Sequence, residues 1–163
     1  MMSQVIEVGA EIPSMKLMTA TADGPREVST DELFKGRKVV MFAVPGAFTP
    51  TCSAKHLPGF IQHASAFAEK GVDALVCLAV NDAFVMGAWA RDQGVDEKIV
   101  MLADGSAMFT KALGLELDLT ARGLGVRSQR FAMVVENGVV SALYVEAPGG
   151  FDVSRAEAVL AAL

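Results

Sequence analysis

A chain of 163 residues with 52% apolar content can bury a full hydrophobic core without disulfides or a structural metal. Its net charge of -5 and pI near 5.0 leave no concentrated basic surface, so nucleic acid is not an expected partner. The longest apolar run, residues 74–80, is too short to span a bilayer, and no membrane partner is expected.

The opening MMSQVIEVGAEIPS has neither the basic and apolar blocks of a secretory leader nor the Arg-rich character of a transit peptide. A cytoplasmic location is therefore expected. No repeat, low-complexity stretch or Pro/Gly/Ser-rich linker divides the chain, which reads as a single domain over 1–163. In a reducing compartment the two cysteines, Cys52 and Cys77, are expected as free thiols.

A short extended piece precedes Ser29, which forms a capping-box pattern with Glu32 and predicts a brief helix to about Lys35, stopped by Gly36. Val39 to Val44 is a continuous apolar run with several β-branched residues, the pattern of a strand covered on both faces. A helix is predicted from about Pro50 to Gly71, its apolar face carrying Leu57, Phe60, Ile61, Ala64, Phe67 and Ala68. Pro58 cannot donate to the carbonyl of Ala54, which predicts a kink there. DALVCLAV is a second buried strand. Asn81 or Asp82 then caps a helix with Val85, Ala88 and Trp89 inward, ending near Gly94. KIVMLA reads as a short strand and SAMFTKALG as a short helix. Asn137-Gly138 joins two strand patterns as a hairpin, and DVSRAEAVLAAL closes the chain as a helix. The order, roughly βαβαβαββα, predicts an α/β fold: a mixed central sheet with helices on both faces.

Sites in such sheets form beyond the carboxyl ends of the strands, and Cys52 lies there, in VPGAFTPTCS. Thr49 and Pro50 suit a helix N-cap and first position, so Cys52 falls in the first turn, where free N–H groups and the helix dipole favour a thiolate. The Thr49 hydroxyl is within reach of the sulfur, and Pro45-Gly46 holds a tight turn that can shield it. Position 55 is Lys, which removes a Cys-x-x-Cys disulfide reductase. His56, one helical turn on, could face Cys52 as in acyl transfer, but no orienting Asp or Asn and no oxyanion loop accompany it. His56 and His63 read as surface or packing residues. Among the two Cys and two His, Cys52 and His56 are the only close pair, so no metal is expected. Redox chemistry on one exposed thiolate remains. Attack on a peroxide also needs positive charge against the leaving oxygen, which an arginine supplies. Spacing leaves Arg122, Arg127 and Arg130 as alternatives.

Pro45, Thr49 and Cys52 match the Pro-x-x-x-Thr-x-x-Cys active-site motif of the peroxiredoxins, and VPGAFTPTCSAKHLPGF resembles their type II, or peroxiredoxin-five, subgroup. GVDALVCLAVNDAFVMGAWA, LADGSAMFTKALGLELDL and GLGVRSQRFAMVVENG agree in order, so the resemblance covers nearly the whole chain, weakest over its first 35 or so residues. It implies a thioredoxin-like fold and a peroxidatic Cys52 that becomes a sulfenic acid. It also implies Arg130, directly before Phe131, as the activating arginine, with Arg127 the near alternative. Relatives commonly form homodimers, for which Phe48 and Phe84 are candidate contacts; core packing is the alternative for Phe84. Some relatives carry a resolving cysteine near the C-terminus; this sequence has none there. Cys77 sits three residues before the end of its predicted strand, on the order of 10 Å below the sheet edge and beyond disulfide reach of Cys52. A one-cysteine mechanism is therefore expected, with no bound cofactor. An external thiol, glutathione with glutaredoxin or thioredoxin, reduces the sulfenic acid formed from hydrogen peroxide or a small alkyl hydroperoxide. The competing expectation is a non-enzymatic peroxide sensor acting through the same cysteine.

Overall fold

The computed structural model describes residues 4–163. Its centre is a seven-stranded mixed sheet built from β1 (Lys16–Thr21), β2 (Gly24–Ser29), β3 (Lys38–Ala43), β4 (Ala74–Ala79), β5 (Val100–Ala103), β8 (Phe131–Glu136) and β9 (Val139–Val145), in the order β2-β1-β5-β4-β3-β8-β9. β3, β4 and β5 are parallel, and the strands outside them are antiparallel. The remaining strands, β6 (Glu116–Leu119) and β7 (Gly125–Ser128), form a separate two-stranded ribbon.

Every residue of β3 and β4 after the first is buried, because both faces of the sheet are covered. On one side lie α1 (Thr30–Phe34) and α5 (Met108–Ala112), whose Leu33, Phe34 and Phe109 pack on Val39, Met41, Val76 and Phe131. On the other lie α2 (Leu57–Gln62), α3 (Ala64–Glu69), α4 (Ala83–Gln93) and α6 (Ala156–Ala161), packing Phe60, Phe67, Met86, Trp89 and Val159 on Val40, Phe42, Cys77 and Val134. Phe42 and Phe60 stack at 4.0 Å and Phe60 and Phe67 at 5.4 Å between ring centroids, pairs worth about 0.5–1.5 kcal/mol each beyond their buried area. Cys52 and Cys77 both belong to this second core layer.

Local chemistry explains three boundaries. The Ser29 hydroxyl accepts from Glu32 N–H at the start of α1. Asn137 and Gly138 both take positive φ, 49° and 77°, as a tight hairpin turn requires. Asp82, not Asn81, caps α4 by accepting from Val85 N–H. Asn81 instead accepts from Ala47 N–H, tying the loop before Cys52 to the end of β4.

Several expectations are corrected. β1 pairs with β2 and β5 although its sequence suggests no strand, and β6 and β7 are additional elements. The buried face of α4 is Ala83, Met86 and Trp89, with Val85 and Ala88 flanking it. The closing helix starts only at Ala156, because residues 150–155 form an irregular segment beside the site. Just before Pro58, residues Cys52–His56 form a π-turn in which Leu57 N–H reaches Cys52 carbonyl, five residues back. The wider turn accommodates the missing Pro58 donor, and such turns concentrate at functional sites. No helix among the described residues is long and apolar enough to cross a membrane.

Candidate active site

Cys52 opens the π-turn just beyond the carboxyl end of β3, as the sequence places it, but its side chain is fully buried rather than exposed. Two donors reach its sulfur: the Thr49 hydroxyl at 2.9 Å and Arg130 Nη2 at 3.1 Å. Thr49 does not cap the helix through its side chain. Its Oγ1 also lies 2.7 Å from the Gly46 carbonyl. One hydroxyl proton cannot serve both acceptors, so its direction follows the state of the sulfur. With a thiol, S–H can donate to Oγ1 while O–H donates to Gly46; with an ionised sulfur, O–H turns to the sulfur.

Arg130 arrives from the far end of the chain through strand order. β8 runs antiparallel to β3 with Phe131 opposite Ala43, so the residue before β8 lies beside the end of β3 and the start of the Cys52 turn. Its guanidinium stands over Phe151 at 5.9 Å and donates through Nη1 to His56 Nδ1 at 2.7 Å. Arg127, on β7, donates to the Leu124 carbonyl and, at 3.3 Å, to the Pro45 carbonyl. It clasps the turn before Cys52 from outside. Pro45 and Gly46 pass so close beneath it that a Cβ at Gly46 would stand 2.6 Å from Arg127 Nη1. Arg122 lies on the exposed 3-10 turn Thr120–Arg122.

Of the two readings the sequence leaves for His56, surface or packing, the structure shows packing. His56 is buried among Phe42, Phe60 and Phe151, with centroid distances of 5.0, 5.6 and 5.2 Å, and its Nε2 lies 2.9 Å from the Ser154 carbonyl. Burial and then the Arg130 charge, against the opposing Ser154 carbonyl and Glu146 carboxylate, push its pKa down to about 3. His63 is a surface residue beside Glu157. Glu146 anchors the segment behind His56 by accepting from Asp152 N–H, Ser154 N–H and Ser154 Oγ. Burial alone would raise its pKa, but these bonds and that from Val153 N–H outweigh it and hold the carboxyl below its usual value. The Cys52-to-His56 spacing made His56 visible in the sequence; its partners, Arg130 and Ser154, are too distant along the chain to be inferred.

Cys77 is fully buried in β4 opposite Phe42, and both cysteines are unpaired. Burial first, and the nearby Cys52 charge second, push the Cys77 thiol up, against a smaller opposing effect of Arg130. Among the described residues, no three His, Cys, Asp or Glu side chains are grouped to hold a metal ion. A cleft of about 900 Å³ lies between β1, β2, α1 and the end of α4, and Cys52 is not among its lining residues. Phe48, in the loop before Cys52 with φ of 64°, is 52% exposed, and Phe84 is 75% exposed, so Phe84 is not a core residue.

The chain matches the Redoxin family over residues 7–160. It is 51% identical to peroxiredoxin-2E-2, chloroplastic, of Oryza sativa subsp. japonica, over 97% of this chain and 72% of that one. Peroxiredoxin-2B of Arabidopsis thaliana is 49% identical over 86% of this chain and 87% of its own. Among solved structures, reduced Prx3 of Vibrio vulnificus in complex with H2O2 is 54% identical with a TM-score of 0.92, covering 97% of this chain and 99% of that one. Peroxiredoxin 5 of Alvinella pompejana is 34% identical with a TM-score of 0.84, covering 96% of each chain.

Proposed function

The chain belongs to the redoxin family as a peroxiredoxin, a thiol peroxidase of thioredoxin-like fold, and on that premise we propose that Cys52 is its peroxidatic cysteine, served by Thr49, Arg130 and Pro45. The observation that carries this reading is the convergence of the Thr49 hydroxyl and Arg130 Nη2 on one buried sulfur.

The ionised Cys52 sulfur attacks one peroxide oxygen. An S–O bond forms, the O–O bond breaks, sulfur is oxidised to the sulfenic acid, and the departing oxygen takes a proton to leave as water or an alcohol. Arg130 sits where negative charge moves from sulfur to the leaving oxygen, and being permanently charged it follows that charge without a proton transfer. Thr49 can turn its single O–H between sulfur, Gly46 and a bound peroxide. Pro45 and Gly46, clasped by Arg127, wall the approach and limit it to small solutes.

Recycling uses an external thiol and no bound cofactor. The thiol attacks the sulfenic sulfur and releases water, leaving a mixed disulfide that a second thiol resolves. The fully buried, poorly ionised Cys77 supports this one-cysteine reading, because it makes a weak attacking group inside the core. Glutathione with glutaredoxin is the proposed reductant and thioredoxin the alternative; hydrogen peroxide and small alkyl hydroperoxides are the proposed substrates. Antioxidant defence in a reducing compartment, the cytoplasm in our reading, suits two unpaired cysteines. Phe48, Phe84 and Met108, all exposed just beyond the carboxyl ends of β3, β4 and β5, support a homodimer formed on that edge.

Turnover tests the reading. With peroxide in excess, the protein consumes many equivalents when glutathione and glutaredoxin, or thioredoxin and its reductase, are supplied. Consumption that stops at one equivalent with both systems would instead identify a sensor.

A further inference from the structure

His56 sits in an aromatic box formed by Phe42, Phe60 and Phe151, where a phenyl ring would pack as well and need no polar partner. Its two nitrogens are both engaged, and the partners dictate the proton position. Arg130 can only donate, so Nδ1 must accept; the Ser154 carbonyl can only accept, so Nε2 must donate. We propose that His56 is a positioning residue of the peroxidatic site: its Nδ1 takes one Arg130 N–H and thereby holds Nη2 of the same guanidinium on the Cys52 sulfur. This rests on the reading of Cys52 and Arg130 given above.

The guanidinium is a rigid planar fork, so fixing one nitrogen fixes the direction of its neighbour. Phe151 offers a ring face but no acceptor, and the bond to Cys52 itself cannot orient Arg130 while that sulfur changes state. His56 is in turn held by residues remote from the chemistry: Ser154 is fixed by three contacts of its segment to one Glu146 oxygen. The charged groups facing the ring are Arg130 and Glu146, with Cys52 beside Arg130. Protonating Nδ1 would delete the acceptor and set a cation against Arg130.

Two substitutions separate positioning from packing. His56→Phe keeps a ring in the box and removes the acceptor; His56→Asn places an amide oxygen near the Nδ1 position and leaves the box underfilled. The rate of Cys52 oxidation by peroxide is expected to fall about 10- to 100-fold in His56→Phe and to recover at least about fivefold in His56→Asn. The melting temperatures are expected in the reverse order. A His56→Phe rate within about twofold of the parent, or a His56→Asn rate no faster than His56→Phe, overturns the proposal. Should His56→Phe not fold, nitrogen NMR of the parent decides: His56, distinguished from His63 by His63→Gln, is expected with Nδ1 bare and Nε2 protonated from about pH 5 to about pH 8. A proton on Nδ1 overturns it. That measurement needs no turnover, so it can fail while Cys52 remains the peroxidatic residue, or hold when Cys52 is not.

Discussion

Thr49 and Arg130 reach the Cys52 sulfur from sequence separations of 3 and 78 residues. That difference decides how each behaves when lost and how each is read. Arg130→Ala removes a permanent charge from the path of the leaving oxygen, and the rate of peroxide reduction is expected to fall about 10²- to 10³-fold. Arg127→Ala, which frees the Pro45 carbonyl but leaves the sulfur's donors in place, is expected to cost less than about tenfold. Stopped-flow rates for the two variants check the assignment; the reverse order would give Arg127 the charge-stabilising role. The Thr49–Cys52 contact was legible in the sequence because only three residues separate the two. Arg130 was singled out only by resemblance, because spacing alone left three arginines open. His56 was visible but left open between surface and packing, since its burial depends on Phe151 and its bonds on Arg130 and Ser154, all remote in sequence.

At the scale of elements, the π-turn Cys52–His56 sets the register of the site. It directs Cys52 toward Arg130 and places Ser53 under Trp89, whose indole N–H donates to the Ser53 hydroxyl at 3.0 Å. Pro58 favours this turn by withholding the N–H that an ordinary helix would give to Ala54. Pro58→Ala restores that donor, so it is expected to slow peroxide reduction about tenfold or more while leaving the melting temperature unchanged or higher. A lower melting temperature with an unchanged rate would show that the turn does not set the site. The continuous apolar runs of β3 and β4 and the capped start of α4 were legible, though not the full buried face of α4. β1 was not, because its faces alternate but its residue types do not follow them: apolar Met18 is exposed while polar Thr19 is buried. The β6–β7 ribbon was not, because two four-residue, half-exposed strands carry little pattern.

For the whole molecule, acid stability reports the buried network. His56 has a folded pKa of about 3 against an ordinary value of 6.5. Below pH about 6.5 the unfolded chain takes up a proton that the folded state refuses, so stability falls with falling pH, by up to about 1.4 kcal/mol per unit, until the folded pKa is reached. Glu146, with its folded pKa lowered, adds stability that is present above its ordinary value of 4.5 and lost as pH falls below it. Urea melts between pH 5 and 6.5 are therefore expected to show a slope in the parent that flattens in His56→Asn; equal slopes would mean that His56 is charged in the folded protein. The central claim concerns one sulfur. Mixing reduced protein with one equivalent of hydrogen peroxide and trapping sulfenic acid for mass mapping tests it most directly. The account predicts the trapped oxygen on Cys52, none on Cys77, and no peroxide consumption by Cys52→Ser; a Cys52→Ser protein that still consumes peroxide at the parent rate would contradict it.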